Sequence, residues 1–497
     1  MPRLIDYAAD LVRMLAARLY SAMFHPPRPH KVATMRVLVL LILASFLIGC
    51  QTTAPADADP EAAFDVPIPP AWTSSHSVAG VPGLTAWAED LQDPLLVDLI
   101  HDGLAHNFSL QASRAALHAI SATVLRGLAA REPSLALNGD GRRSRSVNDE
   151  RGRQPDAISA SLALGVAVSW ELDLWGRLRH EAYATARDLE AAGWTDRGAR
   201  LAIAVAIARQ YCDAITAKYN LTLARENIGS FGGTLQTAEQ RYRSGLLNGA
   251  AEVHLSRANV ANSERALHSA EREYDAAVRA LEALVGRYPQ AALSVADQLP
   301  YITAVPAGIP ADLLARRPDV CAAEARLAAA GLRTRVARAQ AFPAVRLTAN
   351  TGTSADTLRK ILHPSHMLWS LAAGVTQPLF DGGAISAGIM AADARQQQAL
   401  ANYAQTALTA YQEVETALAA DAFLTSELAA LQVAAHESQA AEAETRENYD
   451  NGLVELTALL VAQRRSVDAR RSRITVTNRR LQNRLGLYLA LGGGFER

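Results

Sequence analysis

With 497 residues, a formal net charge of -1 and charged residues at only 20%, the chain has room for one large fold or two to three domains, and it lacks the basic excess that attracts nucleic acid. Aromatics make up 6%. Alanine dominates the remainder, which favours long helices over a large mixed core.

In chain order, the first signal is an address. Met35-Arg36 precedes an apolar run, Val37 to Ile48, too short to span a bilayer comfortably and of the length of a signal-peptide core. It ends in Leu47-Ile48-Gly49-Cys50, which resembles the bacterial lipobox. Small residues before Cys50 let a peptidase reach the backbone, and the thiol supplies the nucleophile for the lipid. Residues 1–49 are therefore expected to be a signal peptide whose first 34 residues make an odd preamble, with either Met1 or Met35 as the start. The competing reading is an ordinary signal peptide with a chance cysteine. Gln51, where an Asp is absent, resembles lipoproteins sorted to the outer membrane. Residues 50–90, rich in Pro, Ala and Asp from Thr52 to Pro70, read as a poorly ordered tether. Cys212 and Cys321 both fall in helical patterns and are expected to be buried free thiols rather than a disulfide.

The remainder says everything twice. SWELDLWGRLRH, from Ser169, is echoed by TQPLFDGGAISA, from Thr376, with Gly176 and Gly383 separated by 383 − 176 = 207 residues. RYRSGLLNG, from Arg241, is matched by NYDNGLVEL, from Asn448, and Gly245 and Gly452 again differ by 452 − 245 = 207. Pro133 and Pro343 differ by 210, which a loop insertion accommodates. A tandem repeat of one structural unit is expected. Each half reads as helix, strand pair, very long helix, sharp break, helix.

In the first half, Leu95 to Arg131 is expected to be one helix, ended by Pro133. A strand pair spans 134–170. On its return strand Ile158, Leu162, Leu164, Val166, Val168 and Trp170 alternate with Ser159, Ser161, Ala163, Gly165, Ala167 and Ser169. In the second half the pair spans 343–378, with Val345, Leu347 and Ala349, then Trp369, Leu371, Ala373 and Val375, on the apolar side. Between the strands and the breaks at Ser244-Gly245 and Asn451-Gly452 run two Ala-rich stretches without proline, Leu174 to Gln240 and Gly382 to Asp450. At 1.5 Å per residue each reaches on the order of 100 Å, too long for an ordinary globular domain and suited to the wall of a hollow tube. Their Leu/Ile spacing is too irregular for a sustained coiled-coil heptad. The halves are joined by Arg287 to Pro318, which holds Pro289, Pro300, Pro306, Pro310 and Pro318.

Alternation of this kind also suits a half-buried soluble hairpin. The address tips the reading to an outer-membrane barrel, whose strands need only about 9–11 residues. Trp170 and Trp369 would suit its interfacial aromatic girdles. Four strands cannot close such a barrel, because peptide groups in lipid must all be paired. The chain must therefore oligomerise, and the arithmetic alone permits two, three or four copies.

The motifs resemble the outer-membrane efflux proteins, the TolC-like channels, and specifically the lipoprotein branch serving resistance-nodulation-division drug pumps. They spread over nearly the whole mature chain: the lipobox, ELDLWGR at Glu171, RYRSGL at Arg241, LLARRPDVCAAEARLAAA at Leu313, VARAQAFPAVRLT at Val336, QPLFDGG at Gln377 and AYQEVETAL at Ala410. The resemblance implies a mainly α, mixed α/β membrane protein. It further implies a homotrimer whose 12-stranded outer-membrane β-barrel, four strands per chain, continues into a periplasmic α-helical barrel. It divides the chain into a signal peptide 1–49, a lipid-anchored tether 50–90, a first repeat 91–288, a Pro-rich equatorial linker 289–318, a second repeat 319–492 and a tail 493–497. The implied partners are a periplasmic adaptor, an inner-membrane resistance-nodulation-division transporter and outer-membrane lipid. The implied modification is diacylglycerol and an N-acyl chain on Cys50, without any other cofactor.

By the same resemblance Tyr242, Gly245 and Leu246, with Tyr449, Gly452 and Leu453, form adaptor-facing tips at the closed periplasmic end. Relatives often place an acidic residue where this chain has Val461. Here Thr457 and Val461, with Glu455 nearby but half a turn off their face, give a less charged constriction, which can still seal by dewetting. No catalytic or metal constellation stands out: the twelve histidines form no H-E-x-x-H, and there is no phosphate loop, metal-spaced Cys pair or G-x-S-x-G elbow. His180 reads as a solvated helix turn, and the basic run Arg464 to Arg473 as a solvated helix face. The expected function is a passive exit duct for drugs or other small toxic compounds. A polypeptide-secretion outlet and a pore-less lipid-anchored scaffold are the alternatives.

Overall fold

The computed structural model describes residues 69, 71–73, 93–146, 157–246, 250–301, 310, 313–361, 363, 365 and 367–493. The signal peptide, the lipobox at Cys50 and most of the tether lie outside the described residues.

Two short helices open the first half, α1 at Pro94–His106 and α2 at Phe108–Ala129. Sequence periodicity predicts one helix here, and Asn107 breaks it. Its carboxamide oxygen accepts the amides of Ser109 and Leu110, the N-cap geometry for which Asn is preferred. Its Nδ2 donates to the Leu284 carbonyl at 2.8 Å, so the corner is held from both sides.

Strands β1 (Ser134–Ser146) and β2 (Ala157–Leu172) follow, then helix α3 (Arg177–Arg243) and helix α4 (Ala251–Leu284). After the one-turn α5 (Leu313–Arg316) the order returns. It runs through α6 (Pro318–Ala339), β3 (Ala344–Ala355), the one-turn α7 (Leu358–Ile361), β4 (Met367–Thr376), α8 (Ala384–Asp450) and α9 (Leu456–Ala490). The tandem repeat read from the glycine offsets is thus an architectural repeat. Both long helices have 67 residues, about 100 Å at 1.5 Å each.

The strands form one antiparallel sheet in the order β1-β2-β3-β4, the two hairpins meeting along β2 and β3. Both outer edges, β1 and β4, lack a described partner strand. The helices pack separately: α3 lies along α4 and α6, α8 along α9 and α6, and α9 also reaches α3. The main core sits where these helices cross below the sheet, with Leu96, Ile100, Ile207, Tyr211, Ile215 and Leu281 fully buried. Cys212 and Cys321 are both buried and free, and burial holds the Cys212 thiol far above its ordinary value.

The proline-rich segment binds this core as a belt. Buried Glu282 accepts the amides of Ala291 at 2.7 Å, Ala292 at 2.7 Å and Leu293 at 3.0 Å. Burial alone would raise its pKa, but these backbone donors outweigh it and hold the carboxyl below the ordinary range. Arg317 pairs bidentately with Asp319, donates to the Ala490 carbonyl at 3.1 Å and pairs with Glu413, joining the linker to α9 and α8. One piece of the expected tether is fixed here. Trp72 is buried against Tyr411, and both the amide and hydroxyl of Thr73 donate to Glu415.

Candidate functional site

In both halves a strand leads into a long helix through a short connection, 173–176 in the first and 377–383 in the second, and the same chemistry starts both helices. At the first, Asp173 accepts the amides of Leu178 at 3.0 Å and Arg179 at 2.8 Å, while Gly176 turns the chain at φ 73°. At the second, Asp381 accepts those of Gly383 at 3.0 Å and Ile385 at 2.7 Å, with Gly383 at φ 89°. An aspartate satisfies the free amides of the first turn, and glycine supplies a backbone angle that a side chain would strain. Trp175 stacks on Phe342 with centroids 4.9 Å apart and donates to the Pro343 carbonyl, pinning the first corner to the start of β3. Glu171 pairs with Arg177 at 2.6 Å and Arg346 at 3.5 Å. His180, expected in a solvated turn, lies half-buried beneath this corner. Burial, with Arg335 and Arg179, lowers its pKa, and no metal cluster occurs among the described residues.

Strand register divides the sheet into two unlike faces. Rows such as Leu135–Val168–Ala349–Leu371 and Leu137–Val166–Thr351–Trp369 put the large apolar side chains on one side. The alternate rows, Ser134–Ser169–Thr348–Ala372 and Ala136–Ala167–Asn350–Ser370, are small and polar. Both tryptophans lie on the apolar face. Trp170 is at the helix end, its indole donating to the Arg131 carbonyl at 2.9 Å. Trp369 shares a row with Val166, 170 − 166 = 4 positions further from the helices. In the middle of the polar face Gly165 and Gly352 stand opposite each other, and a Cβ on Gly352 would sit 2.5 Å from the Leu164 carbonyl oxygen. Two bare positions side by side let the sheet curl toward this face.

At the far end of the long helices the two halves make the same turn. The amides of Leu246 and Leu453 bond back to the carbonyls of Arg241 and Asn448, while Gly245 and Gly452 take φ 71° and 77°. Leu246 and Leu453 project from these turns, each largely exposed. The tyrosines, expected alike at the tips, differ. Tyr242 is 47% exposed and Tyr449 only 1%. Tyr449 belongs to a small core with Phe231, Leu456, Leu459 and Leu460, so its ring is not part of the outward tip surface. Arg241 explains the difference: its guanidinium lies 4.4 Å over the Tyr449 ring and donates to the Tyr449 carbonyl, clasping one hairpin to the other.

Along α9, Thr457 and Val461 are exposed on one face and line a groove with Ser438, Ala441 and Thr445 of α8. Glu455 stands at the helix N-cap, within 3.5 Å of the Thr457 hydroxyl but outside that groove. Arg465, two turns beyond Thr457, completes the same face. The expectation of a uniformly solvated basic run needs correction. Arg464 donates to Asn259 at 2.9 Å, Arg470 pairs with Glu226 at 2.5 Å and Arg473 reaches the Tyr219 hydroxyl, so these cations bridge α9 to the first-half helices. Sequence reading also missed a polar seam above the tip. There Gln463 of α9 donates to Ser230 and Thr234 of α3, and Arg446 of α8 donates to Ser230 and Glu442.

Comparison with known proteins agrees with this geometry. The profile of the outer membrane efflux protein family matches residues 99–287 and 309–493. The pyoverdine export outer membrane protein OpmQ of Pseudomonas putida is 29% identical over 472 residues, 93% of this chain and 98% of its own. The cation efflux system protein CusC of Escherichia coli is 28% identical over 82% of this chain and 88% of its own. Among solved structures, the outer-membrane channel OprN superimposes with a TM-score of 0.79 at 25% identity, covering 87% of this chain and 98% of that one. The open-state MtrE channel of Neisseria gonorrhoeae gives 0.76 at 27% identity, over 87% and 97%. With both repeats matched and each strand pair leading through a short corner into a 67-residue helix, the chain belongs to the outer membrane efflux protein family and is an outer-membrane exit duct.

Proposed function

We propose that three copies of the chain close a 12-stranded barrel in the outer membrane and a helical tunnel beneath it. Through this tunnel small toxic compounds pass from an inner-membrane resistance-nodulation-division transporter and its periplasmic adaptor. The observation that carries this reading is the sheet: four strands, one apolar face, one small polar face and two open edges. In hydrocarbon an unpaired strand edge costs several kcal/mol per group, so β1 of one protomer must pair with β4 of the next. The small polar face then lines a wet lumen. Cys50 carries the lipid and holds the chain to the inner leaflet through residues 51–71.

At the periplasmic end, the exposed Tyr242, Leu246 and Leu453, on the turns made by Gly245 and Gly452, are the surface offered to the adaptor. The Arg241–Tyr449 clasp holds the two hairpins of a protomer together in the resting state. Thr457 and Val461 line the narrowest part, where an uncharged ring seals by dewetting rather than by a bound cation. Purification from outer membranes, followed by mass determination in mild detergent and image averaging, tests the assembly. A threefold tube is the expected result; a monodisperse monomer at every concentration overturns it.

A further inference from the structure

The tandem repeat carries more than the order of elements; it carries strand register. Pro133 and Pro343, just before β1 and β3, lie 210 residues apart, and Gly176 and Gly383, just beyond β2 and β4, lie 207 apart. Shifting the first-hairpin pair Ser134–Ser169 by these two offsets gives residues 344 and 376, and Ala344 is the partner of Thr376. Offsets read outside the sheet thus reproduce a pairing inside it. β1 and β3 are therefore equivalent residue by residue, and so are β2 and β4.

Where the halves meet, β2 pairs with β3 in one register from Leu162–Ala355 to Leu172–Val345. Among the described strands, β4 has only β3 beside it and β1 only β2. The offsets turn Ser169–Thr348 into Thr376–Asn138, Ala167–Asn350 into Gly374–Asp140 and Leu172–Val345 into Leu379–Leu135. Two physical constraints favour this alignment for the seam between protomers. A slip of one residue would set the apolar face of β4 against the polar face of β1, so only slips of two keep the faces continuous. A slip of two would shift α8 by about 7 Å along α2 of the next protomer, relative to the way α3 lies along α6. That exceeds a helical turn of about 5.4 Å and would undo the side-chain packing that the repeat preserves.

We propose that β4 of one protomer pairs with β1 of the next in the register that sets Thr376 against Asn138 and Gly374 against Asp140. The proposal rests on the closed-barrel reading above and adds to it the alignment of the seam. It also gives the second corner a partner. Leu379 there is 94% exposed, and this register brings it to Leu135 of the next protomer, itself 73% exposed. Two large apolar side chains that their own protomers leave bare thus meet across the seam.

The test is disulfide trapping in the full-length protein in outer membranes, with copper phenanthroline as oxidant and a non-reducing gel as readout. β1 and β4 stand at opposite edges of the protomer's sheet, so a bond between them joins two copies. In register, paired Cα atoms lie within bridging distance; a slip of two puts them about 8 Å apart, beyond the limit of about 7 Å. T376C/N138C should give a ladder ending at a covalent trimer, at least tenfold faster than T376C/A136C or T376C/D140C. G374C/D140C, the next row on the same face, should couple as fast as T376C/N138C, which shows that the thiol at 140 is reactive. Equal or faster coupling in either slipped pair overturns the proposal, as does a trimer in which neither in-register pair couples. Failure to find a trimer at all would instead remove the barrel reading beneath it.

Discussion

The sheet and the belt core are opposite kinds of structure within one chain. In the belt, Leu96, Ile100, Tyr211 and Leu281 are sealed by helices of the same protomer, and the Tyr211 hydroxyl and the Arg317 guanidinium find their partners within it. In the sheet every residue of β4 is exposed, and Trp369 keeps 79% of its surface. A protomer can therefore bury its own belt but not its own strands. The contrast teaches that folding and assembly are separable: belt residues decide whether a protomer exists, and strand residues decide whether protomers become a channel.

The sharpest way to break this contrast is Tyr211→Ala. It empties a fully buried site and removes the hydroxyl that donates to Asp93 at 2.9 Å and accepts the Ala296 amide. A loss of about 3–5 kcal/mol is expected, seen as a fall in urea midpoint and in total folded protein. Gly352→Val should do the reverse. Its side chain would strike the Leu164 carbonyl, so trimer should vanish from size analysis, while far-UV helix signal is kept to within about 10%.

Glu282→Gln probes the belt by charge alone, with an expected cost of about 2 kcal/mol at pH 7. Because backbone amides hold its folded pKa below the ordinary 4.5, its contribution is complete above that value and fades as pH falls through the lower folded value. Wild type and variant should therefore start to converge in stability only once pH falls below the ordinary carboxylate value, in urea titrations. If the gap persists there, the carboxylate is not what holds the belt.

Smaller effects belong to the tip. Arg241→Ala removes the contact over Tyr449 and the bonds to the Tyr449 and Asp450 carbonyls. It should cost about 1 kcal/mol locally, leave the urea midpoint nearly unchanged and raise planar-bilayer conductance. Val461→Asp should change stability least, placing a carboxylate on the groove face with Thr457. Its reading is gain of block by divalent cations, to which the wild type should be indifferent.

Much of this was legible in the sequence, for reasons that differ between regions. Strict alternation in β2 showed which residues share a face, and the repeated glycines Gly176 and Gly383 marked the corners, because both signals are local. The break at Asn107 escaped because the helical period runs through it, and only the cap geometry, with Leu284 far along the chain, reveals the bend. The burial of Tyr449 beneath Arg241 and the pairing of Arg470 with Glu226 were invisible for the same reason: their partners lie about 200 residues away in sequence. Trp72 docking on Tyr411 was hidden by a surrounding composition that reads as linker.

The tight corner at Gly176 has a mechanical meaning. A long connecting loop would act as a slack hinge, and a twist applied to the helix would die out in it. Only residues 173–176 separate β2 from α3, with Asp173 capping the helix and Gly176 as the pivot, whereas the second corner, 377–383, is longer and holds two glycines at positive φ, Gly382 and Gly383. A rotation of α3 is therefore felt in the strand above it more stiffly than a rotation of α8, so the two halves of a protomer pass motion unequally between the periplasmic mouth and the pore rim.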